Sequence, residues 1–264
     1  RCRDDKSDAV TTAPASGDSH SDLAKQATNP AAPLLQLQLQ NIFIPDSTYG
    51  ASGYANQLIV QPVIPIARQD WLPDFLPHQI FRPTIPIVTS ADIDGGPDGT
   101  TGLGDINYVY TFNYDLDWGV LGIGLSGEIP TATDLRLGGR HWAFGPAVFA
   151  MYASIPNVQV GALVSNNFSV GGGGPGDLNS MSIQLIANYH WGDGWYAGWG
   201  DQPLTFDWEN GGYYVPLSAR IGKVGSMGNQ KVNIFLQGYR NVGDSITGQS
   251  EGGIKLNVTL LFPE

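Results

Sequence analysis

Gln36, Gln38 and Gln40, in the stretch LLQLQLQNIFI (34–44), recur at every second position, a spacing that gives them a shared chemical task. Amides repeating with period two line one face of a β-strand. There they hydrogen-bond one another or a passing solute without the cost of a charge. The remaining groups that could do chemistry are four histidines, His20, His78, His141 and His190, and a single cysteine, Cys2. Hydrolysis by a Ser-His pair needs the imidazole within hydrogen-bond reach of the hydroxyl and a third group to orient it. Only His20, between Ser19 and Ser21, has serine neighbours, and "SHS" there reads as linker composition. His141 and His190 adjoin Trp142 and Trp191, which reads as interfacial anchoring. A pairing between distant strands is invisible in sequence, so the expectation is no enzyme, no metal and no cofactor.

The glycine runs GGPDG (95–99) and GGGGPG (171–176) open no helix with a Lys-Ser/Thr, so they read as loop tips, not phosphate cradles. The acidic DIDGGPDG (92–99) lacks the ligand spacing of a helix-loop-helix calcium site. With a net charge of −11, the chain offers no basic surface for nucleic acid. One cysteine excludes an internal disulfide. Cys2 follows Arg1, not the small residue expected ahead of a lipidated cysteine. The chain starts without Met or leader, so its numbering is expected to follow processing.

The elements that must present these side chains follow from the same alternation. Leu35, Leu37 and Leu39 oppose the glutamines. A soluble sandwich would turn the leucines to a dry core, whereas a membrane barrel turns them to lipid and the amides to a wet lumen. Composition favours the second. Only 14% of residues are charged, against roughly 25% in soluble domains, yet no run reaches the roughly 18 apolar residues of a spanning helix. Residues 1–32 read as an acidic, Ser/Thr/Ala/Pro-rich tail, flexible or plug-like, in which SDLAKQA could form a turn or two of helix capped by Ser21.

From 33 to 264, strands are expected near 34–45, 56–67, 79–90, 103–115, 119–131, 142–154, 158–171, 180–190, 195–208, 212–223, 231–242 and 252–262. Twelve is an even number, and their length suits a tilted bilayer crossing of about 9–11 residues. The expected fold is therefore all-β, a transmembrane antiparallel up-and-down barrel. Short connections (DLDW, IPN, WGDG, GSMGNQ) alternate with longer ones (DLRLGGRH, GGGGPGDLN, NVGDSITGQSEG), ENGG being a short exception. That pattern places both termini and the short turns in the periplasm. Trp71, Trp118, Trp191, Trp195 and Trp208 fall near strand ends, where aromatic girdles form. Prolines in QPVIPI (61–66), RPTIPI (82–87) and YVPLS (214–218) cannot donate to a ladder and call for bulges or kinks.

The strings GLGDINYVYTFNY (102–114), EIPTATD (128–134), GGRHWAFGPAVFAMY (138–152), VGALVSNNFSVGG (160–172), YYVPLSARIGKV (213–224) and VTLLFPE (258–264) carry a resemblance. They are similar to the bacterial outer-membrane proteins named after the MetA pathway of phenol degradation, over roughly residues 20–264. The resemblance implies a barrel in the outer membrane of a Gram-negative bacterium and an uptake role tied to aromatic catabolism. It supplies no agreed substrate and no catalytic residues.

With leucines to lipid, the inward set is Gln36, Gln38, Gln40, Gln184, Asn188, Arg220, Asn233, Gln237, Lys255 and Asn257, joined by Arg82 and Glu128. It forms either a permeation path for small-molecule solutes, apolar or aromatic compounds among them, or a zipped interior. The second case would be a closed structural or complex-forming barrel, with a protein partner on the tail. A third reading is a secreted soluble β-protein that binds carbohydrate through its tryptophans.

Overall fold

The computed structural model describes residues 20–45, 54–66, 77–90, 99–174, 176–244, 246 and 250–263. A helix, α1 (His20–Ala27), precedes β1 (Leu35–Ile44), β2 (Ala55–Ile66), β3 (His78–Ser90), β4 (Thr100–Leu103), β5 (Ile106–Leu116), β6 (Gly119–Ile129) and β7 (His141–Tyr152). Then follow β8 (Val158–Gly172), β9 (Asn179–Trp191), β10 (Trp195–Trp199), β11 (Leu204–Asp207), β12 (Gly212–Met227), β13 (Gln230–Asp244) and β14 (Gly252–Phe262). Apart from β4–β5 and β10–β11, neighbours in sequence pair antiparallel, and β1 pairs with β14 from Leu35↔Phe262 to Phe43↔Ile254. The sheet therefore closes on itself. Its fourteen segments make twelve staves, because β4 and β5 share one stave and β10 and β11 share another. The chain is a closed, transmembrane, antiparallel β-barrel.

Both divided staves break at a Gly-Asp pair, in GLGDINY and GWGDQPL. At 104–105 the ladder steps aside next to Pro86, whose carbonyl accepts the Gly104 N–H at 2.9 Å. At 200–203 the chain leaves the sheet between β10 and β11. The single expected strand 195–208 is thus really two, and the expected 103–115 is β5 alone, with β4 an added segment ahead of it. The prolines act in two ways. Pro216 sits at a bulge against β13. Between β2 and β3, pairing lapses for three residues around Pro62 and Pro83 and then resumes in the same register.

Every undivided stave has at least ten residues, and β12 has 16, enough to cross a bilayer at a tilt. The side chains invert as the alternation predicts. Leu35, Leu39, Ile221, Leu236, Ile254 and Leu256 are exposed on the outside, whereas Gln36, Gln40, Gln237, Asn257 and Thr259 are buried. A soluble sandwich would have these classes reversed. Trp118, Trp191 and Trp195 ring the short-turn end, stacked on Tyr152, on Tyr189 and on each other, while Trp142 and Trp208 are exposed at the opposite end. Trp71 lies outside the described residues.

This wall makes a prediction. Leu256 stands on the lipid face opposite Leu236 and Asn41. Leu256→Arg is expected to cost about 2–4 kcal/mol in unfolding free energy measured in lipid bilayers. An unchanged unfolding midpoint would mean that this face meets water.

Connections 117–118, 153–157, 192–194 and 228–229 cap one end, the short-turn end, and 130–140 and 208–211 cap the opposite, long-loop end, where β2, β4 and β14 begin. β1 begins and β14 ends at the short-turn end, so the two ends of the barrel wall lie side by side.

Candidate functional site: the barrel lumen

The lumen is best followed from the short-turn end. In DLAKQA, good helix formers follow Asp22, which complements the dipole at the first turn. The helix stops at Thr28, whose Oγ1 donates to the Ala24 carbonyl at 2.8 Å, just before Asn29-Pro30. Eight residues are too few for a stable helix in water, so its order comes from what it touches. Leu23 and Ala24 are fully buried against Tyr196, Val224, Phe235 and Leu261, with Ala32 and Leu34 in the same cluster. Ala31 enters a second cluster of Ala147, Phe149, Met151, Leu163 and Ile186. All of these wall residues face inward, so residues 23–34 occupy the inside of the barrel. The socket has a sequence signature: AVFAM (147–151) is apolar on both faces because one face meets lipid and the other meets this segment.

Polar contacts fasten the segment. His20 Nδ1 lies 2.9 Å from Asp193 Oδ1, and its Nε2 lies 3.3 Å from Ser226 Oγ. Ser21 Oγ donates to the Gly192 carbonyl at 2.6 Å, so it ties the helix to a turn instead of capping it. Gln159 Nε2 donates to the Lys25 carbonyl at 2.9 Å, and its Oε1 lies 2.8 Å from Thr28 Oγ1. His78 Nε2 donates to the Ala31 carbonyl at 3.0 Å.

The Asp193–His20–Ser226 line has the order of a hydrolytic triad, but its setting is that of a fastener. Asp193 is solvated, with 71% of its side chain exposed. Ser226 Oγ already receives a 3.0 Å hydrogen bond from Lys231 Nζ. The other two histidines correct the anchoring expectation. His141 and His190 are buried inward, because strand alternation turns the neighbour of an outward tryptophan toward the axis. His190 Nε2 approaches Gln159 Oε1 at 3.1 Å, and its ring lies 5.8 Å from that of Tyr196.

Above the segment lies a small chamber of about 60 Å³, lined by Gln36, Gln38, Gln184, Arg220, Asn233 and Phe235 above a floor of Ala27, Thr28 and Pro30. Beyond it, a vestibule of about 450 Å³ lies toward the long-loop end. Gln61, Arg82, Gln184 and Asp201 line both, and so form a collar between them.

The collar is held by charge and amide pairing. Lys255 Nζ donates to Asp201 Oδ1 at 2.6 Å and to Gln40 Oε1 at 3.0 Å. Gln237 Oε1 accepts the Asp201 N–H at 3.2 Å. Gln38 Nε2 donates to Gln36 Oε1, and Gln40 Nε2 to both Gln38 Oε1 and Gln61 Oε1, at 3.1–3.4 Å. Leaving the sheet at 200–203 is what carries the Asp201 carboxylate into the lumen. The glutamines of the opening stretch thus form a ladder along one wall.

Of the expected inward residues, Gln36, Gln38, Arg220 and Asn233 meet at the lower chamber and Gln40 and Lys255 at the vestibule, while Arg82 and Gln184 reach both. Asn188, Gln237 and Asn257 are buried in the supporting network, where Asn188 Oδ1 accepts from Arg220 Nη2 at 2.9 Å and Asn257 Nδ2 donates to Thr259 Oγ1 at 2.8 Å. Glu128 stands apart at the long-loop rim beside Asp105, lining neither chamber. Asp105 in turn accepts the Ala132 and Arg140 N–H groups at 2.9 and 2.8 Å, pinning loop 130–140. In that loop Arg136 clasps Asp134, and its hydrogen bonds hold the exposed carboxyl down to about 2. Sequence reasoning missed Asp105, Asp201 and Gln61. The Gly-Asp pairs inside otherwise regular strands were the available signal for the first two.

No family model and no curated protein matches the chain. Solved structures do. The COG4313 outer membrane channel from Pseudomonas putida F1 superposes with a TM-score of 0.64 at 13% identity, over 87% of this chain and 96% of that one. Outer membrane phospholipase A from Escherichia coli gives 0.43 at 13% identity, over 93% and 98%. Salmonella typhi OmpF gives 0.38 at 12%, over 86% and 97%. At these identities the first likeness is one of fold, a closed barrel of the outer-membrane type, and the other two are looser.

Proposed function

We propose that this chain is an outer-membrane channel for the passive uptake of small molecules, with no enzymatic step. The observation that carries the reading is a vestibule in the long-loop half of a closed barrel, joined through a polar collar to a smaller chamber. The fold it shares with a protein described as an outer membrane channel supports it. The same goes for the resemblance of strings such as GLGDINYVYTFNY to the MetA-pathway family, of which we take the chain to be a divergent member. In this reading the apolar belt sits in the outer membrane, and the short turns and both termini face the periplasm. Residues 1–32 act as a unit apart from the barrel of 33–264. Their described part stoppers the periplasmic end and offers a protein partner a handle. Apolar or aromatic solutes are accommodated by the isoleucine and tyrosine side chains of the vestibule, such as Ile42, Ile59 and Tyr108.

The docked segment also favours a second reading, a closed structural barrel. Planar-bilayer conductance separates the two. The full chain is expected to conduct in rare, small steps, and a chain lacking residues 1–33 in frequent, larger ones. A folded truncated barrel that carries no current and releases no solute from liposomes would leave only the closed reading.

A further inference from the structure

The geometry points to Arg82 as the recognition site for a carboxylate, so that the solutes selected at the collar are small organic acids with an apolar body. The inference rests on the channel reading only in supposing that solutes reach the vestibule. The collar region holds three cations, Arg82, Arg220 and Lys255, against one anion, Asp201, leaving a surplus of two positive charges. They are not equivalent. Lys255 is spent on Asp201 and Gln40. Arg220 donates to Asn188 and lays its guanidinium over the rings of Phe235 and Tyr196, at 5.3 and 5.7 Å. Arg82 alone faces both chambers, and among the described residues its guanidinium makes a single long bond, Nη2 to Gln184 Oε1 at 3.4 Å. The carboxylate that acts on it electrostatically, Asp201, is already neutralised by Lys255 at 2.6 Å.

A planar fork of five N–H donors with most of its capacity unspent matches a carboxylate in bidentate geometry. The surroundings set the rest of the ligand. On the vestibule side, Ile42, Ile59, Tyr108, Val109 and Leu163 line the approach to Arg82. That wall suits an apolar body, and a volume of about 450 Å³ falls in the range of small-molecule sites. Downstream, the lower chamber places Arg220, with an Nε that has no hydrogen-bond partner among the described residues, where it can receive the acid next.

Equilibrium binding to the detergent-solubilised full chain tests this by calorimetry, with hexanoate and benzoate as probes and 1-hexanol and benzyl alcohol as their neutral counterparts. The acids are expected to bind saturably and at least tenfold more tightly than the alcohols. Arg82→Gln should abolish that preference, and Arg82→Lys should restore part of it by returning the charge without the fork. Equal binding of acids and alcohols to the native chain would overturn the proposal whether or not the variants fold. So would an undiminished preference in a folded Arg82→Gln barrel, which would mean that solvent alone satisfies the guanidinium. Because no flux is measured, failure here is distinct from failure of the channel reading, which conductance decides.

Discussion

Replacing Lys255 with Met is expected to lower the barrel's unfolding free energy by about 3 kcal/mol. Only 4% of the lysine side chain and 18% of the Asp201 side chain are exposed, so the substitution strands a carboxylate in a poorly solvated place. Breaking one side of a buried pair typically costs about 3–5 kcal/mol, and the lower figure fits because Asp201 borders a cavity. Adding Asp201→Asn should recover most of the loss, since the stranded charge goes with it. Urea unfolding in lipid bilayers, followed by tryptophan emission, reads both. If the double variant is no more stable than Lys255→Met alone, the ammonium matters through its bond to Gln40 and not through the pair.

The second large effect concerns α1. Leu23 is 1% exposed among Tyr196, Val224, Phe235 and Leu261. Leu23→Asp would bury a carboxylate in that apolar socket, a cost of several kcal/mol that an eight-residue helix cannot offset. The helix should leave its socket while the wall, whose pairing owes nothing to Leu23, stays closed. The expected readout is conductance in the full-length chain like that of the chain lacking residues 1–33, with unchanged heat-modifiable electrophoretic mobility. Conductance equal to that of the native chain would show that the segment does not obstruct the passage.

Much of this architecture was legible in the residues. Alternation in LQLQLQ and IKLNVTLLF indicates an inside-out cylinder, because a lipid face and a wet face leave opposite marks with period two. Connection lengths order the two ends, and the same period sets the amides on the face opposite the leucines. What was not legible depended on contacts distant in sequence. Asp201 lies where a regular strand is interrupted, and only the third dimension shows that the interruption points its carboxylate at Lys255, 54 positions later. His190 looked like a companion of Trp191, although one step along a strand reverses the face. The docking of Leu23 has no local signal at all; it depends on a socket assembled from β10, β12, β13 and β14. A doubly apolar strand such as β7 was the clue that something covers its inner side.

The pairing of β1 with β14 has a consequence for how the molecule is made. Leu35 meets Phe262, so the last hydrogen-bonded junction of the wall joins residues from the two extremes of the barrel chain. Such a seam cannot be zipped until synthesis has supplied β14, and the loop it closes spans the whole barrel wall. Until then β1 and β14 are both unpaired edges. The stretch that enters the cylinder leads into β1 with no spacer beyond Leu34, so zipping the wall and seating its occupant are neighbouring events in assembly.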